Sequence, residues 1–361
     1  MGRLRDGMRR WVRERYDLGA VRHVLEEKHV PRHRFSFFYL LGGLTLFLFM
    51  VQVATGVLLM LYYRASTAEA HDSVRFIITD VHFGVLVRSI HAWAADLMVG
   101  CAIAHLFSVW ILKSYRKPRE LTWASGMGLL VLVLGFGFTG YLLPWTELSY
   151  AATLVGTEIA GTVPLAGGAL REFLRGGELV GPVTLSRFFA FHVAILPAAT
   201  TFMIGAHLLL VQQQGMSVPP SVERAARAGK PVATIPFFPE FLLRDAIAWL
   251  GLLAVVVSLA TFWPRDLGNP ADPYAPVPAG TKPEWYFLAV FELLKLFPAQ
   301  ILGMPGDMVA VMLFMLGGGF LLLLPFIDRP TARGVRSPVV VGLGWVALSF
   351  FMGMTIYGLA R

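Results

Sequence analysis

The sequence predicts an all-α integral membrane protein with seven transmembrane helices. Three observations predict it. The 361 residues are 56% hydrophobic and only 15% charged, a balance outside that of soluble domains. Seven runs, at 35–63, 89–112, 121–146, 188–211, 246–264, 308–327 and 337–360, are free of Asp, Glu, Lys and Arg apart from Asp96, and each meets the length needed to cross about 30 Å of hydrocarbon. The third observation is where the basic residues lie. A net charge of +8 could suggest nucleic-acid binding, but 21 of the 31 Lys and Arg fall in residues 1–34 and in the second, fourth and sixth connections. That alternation is the positive-inside pattern, with the N-terminus in the cytoplasm and the C-terminus outside.

The elements follow in order. Residues 1–34 are basic and interleaved with Trp11, Val12, Tyr16, Leu18 and Val21, which suits an amphipathic segment at the cytoplasmic interface; a solvated tail is the plainer alternative. The first apolar run is too long for a signal-peptide core, so no cleavable leader is expected. Residues 35–212 hold four spans. The long outer connection 147–185 is rich in Gly, with Pro164 and Pro182, and its semi-apolar stretches suit short surface helices. Residues 213–244 read as a cytoplasmic linker, broken by Pro219, Pro220, Pro231, Pro236 and Pro239. Residues 245–361 hold three more spans, with a proline-rich outer loop over 264–304.

Four of the nine histidines sit inside apolar runs: His91 and His105, fourteen apart in the second, and His192 and His207, fifteen apart in the fourth. An ionisable residue in lipid is costly and points to function. At 1.5 Å per residue each step covers about 21–22 Å, so each helix carries one histidine near either face. The predicted topology pairs His91 with His192 on the outer side and His105 with His207 on the inner side. Imidazole is an axial ligand of haem iron, and two facing helices would clamp two haems, one above the other. Four packed histidines are the plainer reading, which leaves the matched spacing unexplained.

Gly42 and Gly56 in the first span, and Gly126 and Gly140 in the third, repeat the fourteen-residue step. Small-residue helix packing accounts for such pairs; beside the histidines they also fit close approach of two haem edges. Arg88 and Arg187 precede the outer histidines, where they could pair with haem propionates or anchor the interface. Asp96 could serve a proton path or bond a neighbouring helix. Pro283-Glu-Trp-Tyr286 places a carboxylate among aromatics at the outer face, suited to taking a proton from a lipid-soluble substrate. The single cysteine, Cys101, excludes an intrachain disulfide and a CxxCH haem-attachment motif.

Arg88-Ser-Ile-His91, the two histidine pairs, Gly140-Tyr-Leu-Leu-Pro-Trp145, Arg187-Phe-Phe-Ala-Phe-His192 and Pro283-Glu-Trp-Tyr286 together resemble the cytochrome b subunit of quinol-oxidising bc-type complexes. The resemblance covers nearly the whole chain. Lys117-Pro-Arg-Glu-Leu-Thr-Trp123 and the fifteen-residue step look most like the chloroplast and cyanobacterial branch, where the four-helix haem subunit and its three-helix partner are separate chains; here they look fused across 213–244.

The resemblance implies two non-covalent b-type haems in the four-helix bundle, with the last three spans completing a quinol site. Quinol would bind near the outer face, between the Pro283–Tyr286 loop and the end of the third span at Tyr141. Glu284 would accept a proton and Tyr286 position the substrate. One electron would pass to a Rieske iron–sulfur protein, and the other through the outer and inner haems to quinone at the inner face, with net proton translocation. A c-type cytochrome or other acceptor, membrane lipid and a homodimeric complex are the implied partners, in a bacterial cytoplasmic membrane.

Two departures stand out. Leu40 occupies the place of the cysteine that attaches an extra haem in the chloroplast branch, so a covalent third haem is not expected; a non-covalent one stays open. The inner quinone site matches poorly, with Gln213 and Ser108 where a histidine and an arginine are frequent; Lys113 and Gln213 are candidates only. Two alternatives remain at this point. A dihaem quinone-reactive anchor of a hydrogenase or dehydrogenase would not need the 283–286 loop or the last three spans. A haem-free transporter would not need the glycine pairs.

Overall fold

The computed structural model describes residues 2–16, 28–278, 280–328 and 337–361. Among the described residues, seven helices are long and apolar enough to cross a membrane: Ser36–Met60, Gly84–Ile111, Glu120–Leu142, Pro182–Gln214, Phe237–Phe262, Gly306–Ile327 and Pro338–Ala360. These are the first to seventh spans below. Each contains most of one predicted run. The fourth and fifth begin well before their charge-free runs, because Arg187, Arg244 and Asp245 lie inside the helices. A charge near a helix end does not stop a helix when its long stem lets the head reach polar surroundings.

The first span packs along the second, the third along the fourth, and the second also meets the third. The fifth lies against the first and second, the sixth against the third, and the seventh against the second. Leu48, Ala94, Met98, Val133, Val256 and Tyr286 meet in one buried cluster, so five elements share a mid-membrane core. In lipid, close packing rather than water exclusion drives such contact. Large apolar side chains such as Leu61, Val131, Phe202 and Val346 face outward, where hydrocarbon takes the place of water.

The connections are more structured than predicted. The outer connection after the third span carries helices Glu147–Gly161 and Gly167–Arg175, as its semi-apolar stretches suggest. The first outer connection holds helix Ala70–Thr79, which the sequence reading did not anticipate. The proline-rich outer loop folds into helix Trp285–Lys295, packed on the seventh span, and a small hairpin at Gln300–Pro305. The fold is therefore helical with two minor strand pairs. The other pair joins His29–Arg32 to Ala233–Pro236 in antiparallel register, so the chain before the first span is stitched to the linker before the fifth. Of the basic N-terminal segment, Gly2–Arg15 is helical, with Trp11 exposed; Leu18 and Val21 lie outside the described residues.

Candidate functional site

His91 and His192 face each other with ring centroids 6.3 Å apart and planes at 69°. His105 and His207 are close enough to interact electrostatically. The pairing is the one topology predicts. Metal–imidazole bonds of about 2 Å on each side, with roughly 1 Å from nitrogen to ring centre, sum to about 6 Å, so one metal ion fits between the outer rings.

The unequal steps of fourteen and fifteen have a structural cause. The fourth span contains a π turn at Phe191–Ile195, in which the Leu196 N–H bonds back to the Phe191 carbonyl. A π turn holds one residue more than an α turn. Fifteen residues that include one advance about as far as fourteen in a plain helix, and His207 stays on the face that carries His192. Pro197 follows at once. It has no N–H to donate, and its ring would crowd the Val193 carbonyl in a regular helix. The widened turn relieves both problems.

Each predicted glycine lies against one predicted histidine. A Cβ on Gly42 would come within 3.4 Å of the His105 ring, one on Gly56 within 3.3 Å of His91, and one on Gly126 within 3.4 Å of His207. On Gly140 it would come within 2.5 Å of His192 Cε1. The glycines therefore clear space for the imidazoles and for whatever the imidazoles bind.

The residue before each of three glycines is a hydroxyl side chain. Thr55 Oγ1 lies 2.8 Å from His91 Nδ1, Ser125 Oγ 2.9 Å from His207 Nδ1, and Thr139 Oγ1 3.2 Å from His192 Nδ1. Each hydroxyl donates its own proton to a backbone carbonyl of its helix, of Val51, Thr122 and Gly135 respectively. It can then only accept from the ring, so Nδ1 carries the proton and Nε2 keeps the lone pair that a metal needs. Leu41 precedes Gly42, and the buried His105 Nδ1 has no partner. Sequence reading missed these hydroxyls, although Thr-Gly, Ser-Gly and Thr-Gly at matched positions were legible.

A cavity of about 490 Å³ opens at the level of His91 and His192. It is lined by Gly56, His91, Gly140 and His192, and equally by Tyr141, Glu284 and Tyr286. The outer histidine pair and the predicted substrate residues thus share one space. Glu284 stands at the N-cap position of the helix Trp285–Lys295, its carboxylate making no capping hydrogen bond, with Pro283 immediately before it. Burial pushes the Glu284 carboxyl above the usual carboxylate range, Asp96 adds to the push and Arg265 opposes it. The Tyr286 phenol is pushed up by burial and then by Glu284. Its oxygen fits against Gly137, where a Cβ would come within 2.5 Å.

Other expected residues are engaged with protein. The Arg88 guanidinium donates to the carbonyls of Arg265 and Asp266, and Arg187 donates to that of Phe173. Asp96 accepts from Arg265 and from the Trp285 indole. Lys113 is not an open inner-face cation: its ammonium lies 3.2 Å from the buried Asp328 carboxylate and donates to the Ser337 carbonyl, with burial the largest influence lowering its proton affinity. Gln213 is exposed. Ser108 bonds its own helix at His105. One inner-side group escaped the sequence reading: Asp245 lies against Gly43, and its Oδ1 is buried without a partner.

Seven candidate spans, with histidines of the second and fourth paired inside the bundle, define a class: polytopic helical membrane proteins with paired imidazoles between their spans. The chain belongs to the cytochrome b/b6 family. The cytochrome b/b6/petB profile matches residues 25–215 and the cytochrome b (C-terminal)/b6/petD profile matches 270–361, so the two parts that the b6-type branch separates are fused here.

The chain is 46% identical over 349 residues to the cytochrome bc complex cytochrome b subunit of Chlorobaculum thiosulfatiphilum, covering 96% of this chain and 80% of that one. It is 46% identical over 209 residues to cytochrome b6 of Oltmannsiellopsis viridis, covering 58% of this chain and 97% of that one. Among solved structures, a hyperthermophilic respiratory Complex III chain superposes with a TM-score of 0.79 at 29% identity, over 97% of this chain and 98% of that one. Family membership implies haem b. The C-terminal match covers the part that a dihaem dehydrogenase anchor does not need.

Proposed function

We propose that the chain is the cytochrome b subunit of a quinol:cytochrome c, or similar acceptor, oxidoreductase, active only within its complex. One observation carries this reading: Glu284, Tyr286 and Tyr141 line the same cavity as His91 and His192. A substrate giving up protons to the loop is then also beside the outer metal site.

His91 with His192 would hold the outer b-type haem, and His105 with His207 the inner one. The donor set fits, since each pair offers two imidazoles and three of the four are held in the tautomer with Nε2 free. Bound haem supplies one-electron transfer between the two faces.

The chain's own residues bind, orient and move protons. Tyr141 and Tyr286 form walls of the quinol pocket, and Pro283 sets the chain direction into the Glu284 cap. Glu284, kept protonatable by burial, accepts a quinol proton and releases it to the outer side. The other electron passes to a Rieske iron–sulfur protein and on to a c-type cytochrome or other acceptor. Quinone is reduced at the inner face, near the Asp245 side, so that protons are taken up inside and released outside.

The distribution of Lys and Arg supports a cytoplasmic N-terminus and an outer C-terminus, and the membrane is read as a bacterial cytoplasmic membrane. The chain is read as an interfacial segment (1–34), a dihaem bundle (35–212), a linker (213–244) and a quinol-site module (245–361). The complex is read as a homodimer in lipid, with no nucleic-acid partner.

The test is quinol-dependent reduction of the acceptor by the purified complex across pH, for wild type and Glu284→Gln. Loss of turnover with haem content intact is expected. Unchanged turnover at every pH would overturn the role of the loop.

A further inference from the structure

The second span carries one carboxylate in its apolar run, Asp96, and the quinol reading gives it no task. Its two oxygens are divided. Oδ2 forms an ion pair with the Arg265 guanidinium, and Oδ1 accepts from the Trp285 indole N–H at 3.2 Å. Trp285 is the residue between Glu284 and Tyr286. The loop's position relative to the second span therefore passes through one carboxylate.

Arg265 is itself fixed on several sides. Its guanidinium carbon stands 3.8 Å from the centre of the Trp93 ring, within cation–π range. Its backbone N–H donates to Ser89 Oγ, and its carbonyl accepts from Arg88. Trp93 donates to the Trp263 carbonyl two residues before it. Residues 263–266 are thus riveted to one face of the second span, at the level of His91. Arg265 and Asp96 both line the outer cavity with Glu284.

We propose that Asp96 and Arg265 are positioning residues of the quinol site: they anchor the Glu284 loop through Trp285 and hold one fixed cation beside the Glu284 carboxyl. The proposal rests on the reading of the outer cavity as the quinol site. A lone carboxylate or a lone guanidinium there would be costly in lipid, and pairing lets the protein keep both at a place where a base must gain and lose a proton. Asp96 disfavours the ionised Glu284, and Arg265 partly offsets that effect.

The titratable groups that line the cavity with Glu284 are Tyr63 just after the first span, Arg88, His91 and Asp96 from the second, and Tyr141 from the third. His192 faces it from the fourth, Arg265 and Asp266 from the outer loop, and Tyr286 from its own helix. Of the charged groups outside Glu284 itself, only Asp96 and Arg265 combine direct contact with the loop or its anchor and an electrostatic effect on Glu284.

The test uses the intact complex and a short-chain quinol, with turnover measured from acid to alkaline pH. Asp96→Asn keeps an acceptor for the Trp285 indole but removes the negative charge. The acid limb of the profile moves to lower pH by about one unit, since Glu284 ionises more readily beside an untempered cation. Arg265→Gln moves the limb to higher pH, and Arg265→Lys returns it toward the wild-type position.

Reduced-minus-oxidised spectra confirm assembly of each variant, and if Arg265→Gln does not assemble, the Asp96→Asn shift alone decides. Shifts of Asp96→Asn and Arg265→Gln in the same direction, or an unmoved limb in Asp96→Asn, overturn the proposal. A Glu284→Gln complex with unchanged turnover overturns the quinol-site reading itself, which separates the two failures.

Discussion

Thr55 Oγ1 lies 2.8 Å from His91 Nδ1 while giving its own proton to the Val51 carbonyl. That double bond-making settles the imidazole tautomer without any charge. The ring proton then sits on Nδ1, which leaves the lone pair on Nε2. Ser125 does the same for His207, and Thr139 for His192.

Removing one of these hydroxyls weakens the electron-donating character of its histidine, because a hydrogen bond from Nδ1–H raises ligand basicity. Thr55→Val and Thr139→Val are expected to raise the midpoint potential of the outer haem, and Ser125→Ala that of the inner one. The shift should be tens of millivolts, on the order of the ~1 kcal/mol of one neutral hydrogen bond. Leu41→Ser would give His105 the partner it lacks and lower the inner potential. Redox titration of the visible spectrum in membranes measures all four.

The glycines rank themselves by space. Gly140→Ala would force the His192 ring away, since the new Cβ would stand 2.5 Å from Cε1, whereas at Gly126 the matching distance is 3.4 Å. Gly140→Ala is therefore expected to lose most of the outer haem, and Gly126→Ala to retain the inner one. Haem content per chain checks the order.

Quinol oxidation should fail at low pH for a stated reason. Burial raises the proton affinity of Glu284, so as pH falls through that raised pKa the acceptor is already protonated. Turnover therefore rises with pH, and its acid limb lies above the ~4.3 of a free glutamate. In Glu284→Gln that limb disappears and the remaining rate is lower by roughly 10²–10⁴.

Lys113 and Asp328 form a tie at the opposite face, with their side chains 7% and 0% exposed. Tyr115 donates to the same Asp328 oxygen at 2.8 Å. Lys113→Met removes one charged partner of the buried Asp328 carboxylate while Tyr115 still donates to it, and should destabilise the protein by about 1–3 kcal/mol. The double variant Lys113→Met, Asp328→Leu should recover part of that. Thermal denaturation of the detergent-solubilised protein reads both.

Much of this architecture was legible because lipid imposes simple rules. A run without charge has to be a helix, and four histidines inside such runs need a shared purpose. The glycine step was legible too, because it repeats the histidine step. What the sequence reading missed depends on contacts between distant segments. Arg265 read as one more outer-loop cation, and nothing local joins it to Asp96, 169 positions earlier. The π turn at Phe191–Ile195 is not legible locally, because a proline such as Pro197 inside an apolar run does not by itself show which turn widens. Asp245 was hidden by its neighbour Arg244, since a charged pair at a helix end reads as a boundary.

The central claim is that four histidines hold two haems in series. A pyridine haemochrome assay on the purified complex, before and after acid–acetone extraction and scaled to this chain, tests it most directly. The account predicts two extractable b-type haems per chain and none left attached. A chain with no haem, or with only one, would contradict the paired-histidine reading, and haem that stays bound after extraction would contradict the reading of Leu40.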